Sequence, residues 1–250
     1  MSIPDPRHDD VVMQGEEAVR RQRAEVRGMF DKVSARYDLL NRLLSIGMDG
    51  GWRRAAIRAS RLAAGDCLLD VACGTGDMMR EAARRVPGCR VIGVDFAREM
   101  LRAGRGKWDP SAPLAFVHAD AESLPVRDGM CAAATMAFGI RNIPRRETAL
   151  RAMARAVKPG GRVAILELST KKNGFLAFAV RTYVRTVLPV VGGALSGGEA
   201  YGYLSDSMHA FPDPARFCEE MRSAGLVNVK ARRMFLSPAW LFVGTVAPEV

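Results

Sequence analysis

The residues best suited to chemistry in this sequence are Asp70 and the turn Gly74-Thr75-Gly76. A short apolar run leads into Asp70, and a helical segment begins near residue 77. This order is typical of a buried strand, a tight loop and a helix start. The two glycines let the backbone bend sharply and leave bare main chain against which a ligand can lie. The stretch therefore predicts the ligand-binding turn that opens a doubly wound α/β domain.

The class of ligand is narrowed by the residues around the turn. A dinucleotide-binding loop has a third small residue three positions after its second glycine, where this chain has Met79. Asp77 lies where a helix N-terminus would receive a pyrophosphate, and its charge would repel one. Asp70, in contrast, can face a cation. S-adenosyl-L-methionine fits these conditions, because it has a ribose and a positive charge but no phosphate.

Two more acidic residues follow predicted strands. Asp95 comes about 20 residues after the turn, where a carboxylate accepts hydrogen bonds from ribose hydroxyls. Asp120, with Ala121 beside it, can accept a hydrogen bond from the amino group of adenine. Ligands of open α/β sheets bind at the carboxyl ends of the strands, where both carboxylates are expected.

The elements that position these residues follow a regular βα rhythm. Helices are expected between most of the strands, and an α/β fold with a parallel sheet follows from that alternation. The predicted strands cover residues 67–71, 90–94, 114–119, 132–137, 162–168, 226–234 and 240–245.

Outside this rhythm, the sequence predicts an extension, a cap and a lid. Residues 1–27 are expected to be a disordered or helical extension, with disorder to about residue 13, and residues 28–250 one domain. Helices within 28–65 would cap the ligand end, and residues 170–211 would form a lid insertion after strand five. An apolar helix over 175–191 can serve ordinary core packing, the lid or a membrane surface.

Composition adds constraints on partners and compartment. The net charge is +10, which suits nucleic acid or an anionic membrane, although arginines scattered over the surface would give the same value. The five cysteines form no C-x-x-C pair and predict buried thiols in a reducing cytoplasm. The three histidines are too dispersed for a metal cluster, so no metal site is expected.

From Phe30 onward the sequence resembles the ubiquinone/menaquinone biosynthesis C-methyltransferases, the UbiE/MenG family. The glycine turn is shared by many methyltransferases, whereas two other motifs are far more specific. These motifs are Tyr37-Asp38-x-x-Asn41 and Phe138-Gly139-Ile140-Arg141-Asn142.

This resemblance implies a Rossmann-like class I methyltransferase fold, with a seven-stranded, mostly parallel sheet and helices on both faces. It also implies methylation of a ring carbon in a polyprenylated benzoquinol or naphthoquinol, with Arg141 and Tyr37 as catalytic residues. Asn41, Phe138 and Tyr201 would contact the substrate. The residues expected to bind S-adenosyl-L-methionine are Asp70, Gly74, Thr75, Gly76, Asp95, Asp120, Ala121 and Ala137.

Two departures from the family leave the methyl acceptor open. The family has a serine where this chain has Ala137 and a histidine where it has Asp49. A secondary-metabolite methyltransferase is therefore an alternative, and a non-catalytic component of a quinone-synthesis complex is another. Nucleic acid is not expected as a partner, because the Asn/Asp-Pro-Pro-aromatic loop of adenine-N6 enzymes is absent after strand four. A homodimer and peripheral contact with an anionic membrane remain open.

Overall fold

The fold is built on a seven-stranded sheet. The structure is a computed structural model that describes residues 6–34, 37–108, 112–169, 206–208, 210–235 and 237–248. The strand order is β3-β2-β1-β4-β5-β7-β6, in which β7 is antiparallel to both of its neighbours. The strands are β1 Cys67–Val71, β2 Arg90–Asp95, β3 Leu114–His118, β4 Cys131–Ala137, β5 Val157–Leu168, β6 Leu226–Arg233 and β7 Ala239–Val246.

Helices cover both faces of this sheet, as the sequence predicts. Besides a short 3₁₀ turn, Ile140–Asn142, the described helices are α1 Pro6–Val33, α2 Tyr37–Leu44, α3 Asp49–Ser60, α4 Asp77–Arg85, α5 Arg98–Arg105, α6 Arg146–Ala156 and α7 Pro214–Ser223. All five residues of β1 are buried, as expected for a central parallel strand that is covered on both sides.

The core is divided by the sheet into two layers. Leu69 of β1 points into a cluster with Leu150 of α6 and Phe217 of α7. Leu68, the preceding residue, points to the other face, where Trp52 of α3 and Met79 of α4 pack. Successive side chains of a strand alternate between faces, so one apolar run serves both layers. All five cysteines are buried free thiols, as expected.

The structure differs from expectation at its N-terminal elements. Residues 6–13 are helical rather than disordered, and α1 continues through Gly28, where a domain boundary was predicted. Helix α3 was expected in the cap, but Trp52, Ala56 and Ile57 pack in the core with α4 and the sheet. An apolar helical stripe predicts that a face is buried without specifying its partner. Residues 170–205, most of the predicted lid, lie outside the described residues.

The start of β5 is a second difference. The fifth strand was predicted over residues 162–168, but β5 begins at Val157, so residues 158–161 lie inside the strand, and its pairing with β4 has an irregularity. A Cβ on Gly161 would come within 2.5 Å of the Ala132 carbonyl oxygen. The absence of a side chain at Gly161 therefore permits this close approach of two strands.

Candidate active site

The glycine turn after β1 is fixed by the acidic residue that ends β2. The Gly74 amide donates to Asp95 Oδ2 at 2.7 Å, and the Ala97 amide donates to Asp95 Oδ1 at 2.8 Å. Gly74 has a φ of +56°, and Ala72 has a φ of +52°, which is strained for a residue with a Cβ. The backbone is thus held in an unusual conformation at the carboxyl end of β1.

Two joined cavities lie at this edge of the sheet. The larger, which we call the adenosine lobe, has a volume of about 710 Å³ and is lined by Asp95, Phe96, Met100 and Asp120, among others. The smaller, which we call the methionine lobe, has a volume of about 350 Å³. Four residues line both lobes: Ala72, Gly74, Ala137 and Phe138.

The adenosine lobe combines carboxylates with an apolar wall. Burial raises the pKa of the Asp95 carboxyl to about 6, against the hydrogen bonds from the Ala97 and Gly74 amides. Asp120 accepts a hydrogen bond from the Glu122 amide at 2.9 Å and lies 3.1 Å from the Arg23 guanidinium of α1. The lobe therefore offers acceptors for ribose and adenine, together with apolar surface against which a base can pack.

The methionine lobe has charges of both signs. Asp70 accepts a hydrogen bond from Thr135 at 2.7 Å through Oδ1, while its buried Oδ2 has no hydrogen-bond partner within the described part of the chain. Burial raises the pKa of the Asp70 carboxyl to about 7. Arg53 of α3 and Asp77 of α4 line the same lobe. An unpartnered buried oxygen is costly, so this atom indicates a place where a ligand donates a hydrogen bond.

Thr75 connects the turn to α2. Its hydroxyl donates to Asp38 Oδ1 at 2.5 Å, and the Lys107 ammonium donates to Asp38 Oδ2. Burial raises the pKa of the Asp38 carboxyl, but these hydrogen bonds outweigh burial and leave the pKa below its usual value. Asp38 therefore remains ionised and attaches α2 to the edge of the site.

Arg141 forms a buried ion pair beside the cavities. Its side chain is 9% exposed, and its Nη1 donates to Glu167 Oε1 at 2.5 Å and to the Phe138 carbonyl at 2.9 Å. Arg141 is not among the residues that line either lobe, and its Nε is buried without a hydrogen-bond partner within the described residues. The adjacent Asn142, which the sequence analysis did not select, does line the adenosine lobe.

The remaining predicted residues are less closely tied to the cavities. Gly76 lies outside both linings, and a Cβ there would come within 3.1 Å of Phe116 and Trp108, so it permits packing under the turn. Asn41 lies on α2, and its Nδ2 is buried without a hydrogen-bond partner in the part described. Tyr37 begins α2, but its side chain is not described, and Tyr201 lies outside the described residues.

Two arginines that line the cavities were not predicted as site residues from the sequence. Arg23 lies in the predicted N-terminal extension, yet it bridges Asp120 and Glu122 and lines the adenosine lobe. Arg53 lies in the predicted cap and was not selected as a site residue, yet it lines the methionine lobe. The sequence feature that comes closest to indicating the position of Arg53 is its neighbour Trp52, an aromatic residue on the buried face of α3.

The two lobes fit S-adenosyl-L-methionine as a cofactor. Its adenosine matches the carboxylates and apolar wall of the larger lobe, and its charged amino-acid end matches the mixed charges of the smaller one. No group of three or more metal-ligating side chains was found among the described residues.

Comparison with known proteins defines the family. The model of the ubiE/COQ5 methyltransferase family matches residues 17–238. The chain belongs to this family. Its cofactor is S-adenosyl-L-methionine, and the predicted class I methyltransferase fold is confirmed.

Individual relatives cover most of the chain. The sequence is 45% identical to the ubiquinone/menaquinone biosynthesis C-methyltransferase UbiE of Syntrophotalea carbinolica, over 83% of this chain and 88% of the relative. It is 41% identical to the demethylmenaquinone methyltransferase of Thermus thermophilus, over 86% of this chain and 99% of the relative. A solved structure of a putative S-adenosyl-L-methionine-dependent methyltransferase from Methanococcus maripaludis has a TM-score of 0.63 at 14% identity. The match covers 88% of this chain and 94% of that structure, and at this identity it supports the fold alone.

Proposed function

We propose that this family member transfers a methyl group from S-adenosyl-L-methionine to a ring carbon of a polyprenylated quinol. The acceptor is demethylmenaquinol or the methoxy-polyprenyl-benzoquinol precursor of ubiquinone. The observation that carries the proposal is the 45% identity to the UbiE protein of S. carbinolica over most of both chains. The two-lobed cavity supports it, because its lining provides for both ends of the methyl donor.

The residues divide into those that hold the donor and those that act on the acceptor. When bound, the donor supplies an electrophilic methyl group on a sulfonium. Asp95 and Asp120 would hold the ribose and adenine, and Ala72, Gly74, Ala137 and Phe138 lie where the two lobes meet. Alignment of the methyl group with the acceptor accounts for most of the rate enhancement expected in such a transfer.

Arg141 is proposed to activate the acceptor. A ring carbon ortho to a hydroxyl becomes nucleophilic when that hydroxyl loses its proton, and a guanidinium stabilises the resulting phenolate. The new carbon–carbon bond replaces the sulfonium–methyl bond of the donor, which leaves as S-adenosylhomocysteine. Water takes up the hydroxyl proton before this step and the ring proton after it, and loss of the ring proton restores the aromatic ring. Glu167 would hold the guanidinium in place, and Tyr37, Asn41, Phe138 and Tyr201 are proposed to orient the ring.

The direct test is an assay with defined acceptors. Purified protein is incubated with the methyl donor and short-chain demethylmenaquinol, and the ring-methylated product is measured by mass spectrometry. Parallel reactions contain the benzoquinol precursor or soluble phenols without a prenyl tail. We expect methylation of a prenylated quinol. Turnover of soluble phenols alone would indicate a secondary-metabolite methyltransferase, and donor binding without any turnover would indicate a non-catalytic component.

We also propose peripheral contact with an anionic membrane. The net charge of +10 supports it, because basic proteins accumulate at anionic surfaces. No helix in the described ranges is both long enough and apolar enough to cross a membrane. Cosedimentation with vesicles that contain phosphatidylglycerol should exceed that with phosphatidylcholine vesicles and decrease with salt. Equal sedimentation with both would argue against the contact.

A further inference from the structure

Exposed apolar side chains are unevenly distributed over this molecule. The large ones that are exposed among the described residues are Leu39, Ile46, Met48, Met130, Val227 and Phe235. Met130 directly precedes β4 and Val227 lies at the start of β6, so both are at the edge of the sheet opposite to the cavities. A single exposed apolar residue is ordinary, whereas several at one place mark an interaction site. The position of the other four is therefore informative.

The direction of α3 places two of them beside the cavities. Arg53, near the start of α3, lines the methionine lobe. At the other end of the helix, the Ala59 carbonyl accepts from the Arg162 guanidinium at 3.4 Å, and Arg162 lies in the first half of β5. Helix α3 therefore runs from the cavity edge of the sheet to the opposite edge. Ile46 and Met48, in the connection that precedes α3, lie at the cavity edge.

The turn between β6 and β7 brings Phe235 to the same edge. The Ser169 amide, which follows the last residue of β5, donates to the Pro238 carbonyl at 3.0 Å. The Met234 amide donates to the Ala239 carbonyl at 2.8 Å and closes the turn. Phe235 therefore lies at the carboxyl end of β5, and its side chain is 85% exposed.

Leu39 reaches this edge through its neighbour on α2. Asp38 accepts from the hydroxyl of Thr75 in the glycine turn, which attaches α2 beside the cavities. The Leu39 side chain is half exposed there. We call the four exposed apolar residues of the cavity edge the apolar rim: Leu39, Ile46, Met48 and Phe235.

Ile46 is held in a conformation that is rare for its residue type. Its φ is +52°, in the left-handed region that a β-branched side chain seldom occupies, and its side chain is 70% exposed. Backbone strain that persists in a folded protein is concentrated at functional sites. An exposed side chain gains little packing energy within its own chain, so this arrangement favours a contact with an external surface.

The charge around the apolar rim indicates the chemistry of that surface. The exposed basic residues that flank it are Arg42 on α2, Arg54 on α3, and Arg232 and Arg233 at the end of β6. Within residues 39–54 and 232–240 the sequence has one carboxylate, Asp49, which is buried and paired with Arg53. Apolar side chains with flanking arginines are typical of segments that lie in the interface of an anionic membrane.

We propose that the apolar rim inserts into the interface of an anionic bilayer and holds the cavity edge of the sheet against the lipid. A prenylated quinol is dissolved in that lipid, so docking by this face shortens the path of the acceptor ring to the cavities. The inference rests on the proposed function and adds the face through which the membrane is contacted.

The first test measures how the full chain partitions onto vesicles of equal parts phosphatidylglycerol and phosphatidylcholine. Phe235→Ser should weaken the partition by about tenfold, because it withdraws a phenyl ring from the apolar phase. Ile46→Asn should weaken it by about fivefold without lowering the free energy of unfolding, since asparagine tolerates the left-handed conformation. Met130→Ser is the matched control: it removes a half-exposed apolar side chain from the opposite edge and should leave the partition unchanged.

A second pair of variants separates a local contact from the effect of net charge. Arg232→Gln removes a positive charge beside the apolar rim and should weaken the partition by about fivefold. Arg84→Gln removes the same charge from the last turn of α4, at the opposite edge, where the side chain is 70% exposed. It should weaken the partition by less than about twofold, because its distance from the lipid exceeds the screening length.

Insertion itself is measured by fluorescence. Lipids with brominated acyl chains quench a tryptophan that enters the bilayer. The added emission of a Phe235→Trp variant should therefore be quenched on vesicles, whereas that of Met130→Trp should not.

The outcomes are distinct. Vesicle binding that Phe235→Ser and Ile46→Asn leave unchanged would overturn the inference alone. Loss of a wild-type dimer in these variants, with unchanged vesicle binding, would identify a second copy as the occupant of the rim and would also overturn it. A wild-type protein that binds no anionic vesicles would overturn both the membrane contact and this inference. Docking through the rim without methylation of any prenylated quinol would overturn the proposed methyl transfer alone.

Discussion

Arg141 is the residue on which the proposed chemistry most depends. Its guanidinium is held by Glu167 and the Phe138 carbonyl, so its position is fixed before any acceptor arrives. Preorganised charges of this kind stabilise a developing anion without reorganisation during the reaction. A residue with such a role contributes to turnover rather than to binding of the methyl donor.

We therefore expect Arg141→Ala to abolish methyl transfer. The affinity for S-adenosylhomocysteine should stay within about threefold, since Arg141 lines neither lobe. The two quantities are measured by product formation and by calorimetry. Arg145→Ala is a suitable control, because Arg145 is half exposed and pairs with Glu16 on α1. Equal loss of turnover and donor affinity in Arg141→Ala would refute the assigned role.

Glu167 should contribute strongly to stability. It is fully buried and accepts from the Arg141 side chain, the Arg141 amide and the Leu168 amide. Glu167→Gln leaves a buried guanidinium without its counter-ion, and we expect it to lower the free energy of unfolding by about 3 kcal/mol. Urea denaturation measures the change. When Glu167→Gln is made in an Arg141→Met variant, the decrease in the free energy of unfolding should be smaller than in the wild-type background. An equal decrease in both backgrounds would mean that the stability contributed by Glu167 does not come from its ion pair with Arg141.

At the level of elements, the site depends on close contact between the loops that follow β1 and β4. Gly139 follows Phe138, whose φ is +59°, and an added Cβ on Gly139 would lie 2.6 Å from the Ala72 Cβ. Ala72 is itself in a left-handed conformation and cannot move without disturbing the glycine turn. The sizes of both residues therefore determine how close the two loops can be.

Gly139→Ala should destabilise the protein by about 1–3 kcal/mol, the usual range for overpacking, and should reduce turnover by displacing Phe138 and Arg141. Gly28→Ala is the matched control. Gly28 lies inside α1 with no atom near its added Cβ, so alanine should stabilise the protein by about 0.5–1 kcal/mol. Urea denaturation of both variants tests this contrast, and a destabilising Gly28→Ala would argue against a continuous α1.

At the level of the whole molecule, burial of acidic groups couples donor binding to pH. Folding raises the pKa of Asp70 to about 7 and that of Asp95 to about 6. The folded, ligand-free protein therefore binds these protons more tightly than the unfolded chain does. The stability that these groups contribute is fully present below about pH 4 and is lost as the pH rises through 6 and 7.

Donor binding should show the opposite trend. The donor is a cation that favours ionised carboxylates, so its affinity should increase from pH 5 to pH 8 while the stability contributed by these groups decreases. Calorimetric titrations across this pH range measure how donor affinity depends on pH. Asp70→Asn should flatten the increase in affinity at the upper end of the range. An affinity that falls as the pH rises would contradict the assigned role of Asp70 and Asp95.

The main features of the fold and part of the site followed from local sequence patterns. The first strand was predicted at Cys67–Val71 and is observed there, since a buried apolar run bounded by a glycine turn is a local signal. Asp70, Asp95, Asp120 and Ala137 line the cavities, because the ends of parallel strands share one edge of the sheet. Their contacts with the donor stay predictions.

Contacts between elements could not be predicted from local sequence patterns. The sequence did not indicate that one face of α3 packs on the sheet, that α1 brings Arg23 to Asp120, or that Arg141 pairs with Glu167. Each of these depends on which helix face or loop lies against which neighbour.

The sequence by itself determined the order of strands and helices, the glycine turn after β1 and, through its motifs, the family. Only the tertiary structure decided that Arg53 and Asp70 line one lobe and that Gly76 supports the turn from below. The physical reason is that periodicity and turn chemistry act over a few residues, whereas the environment of a buried charge is created by packing between distant segments.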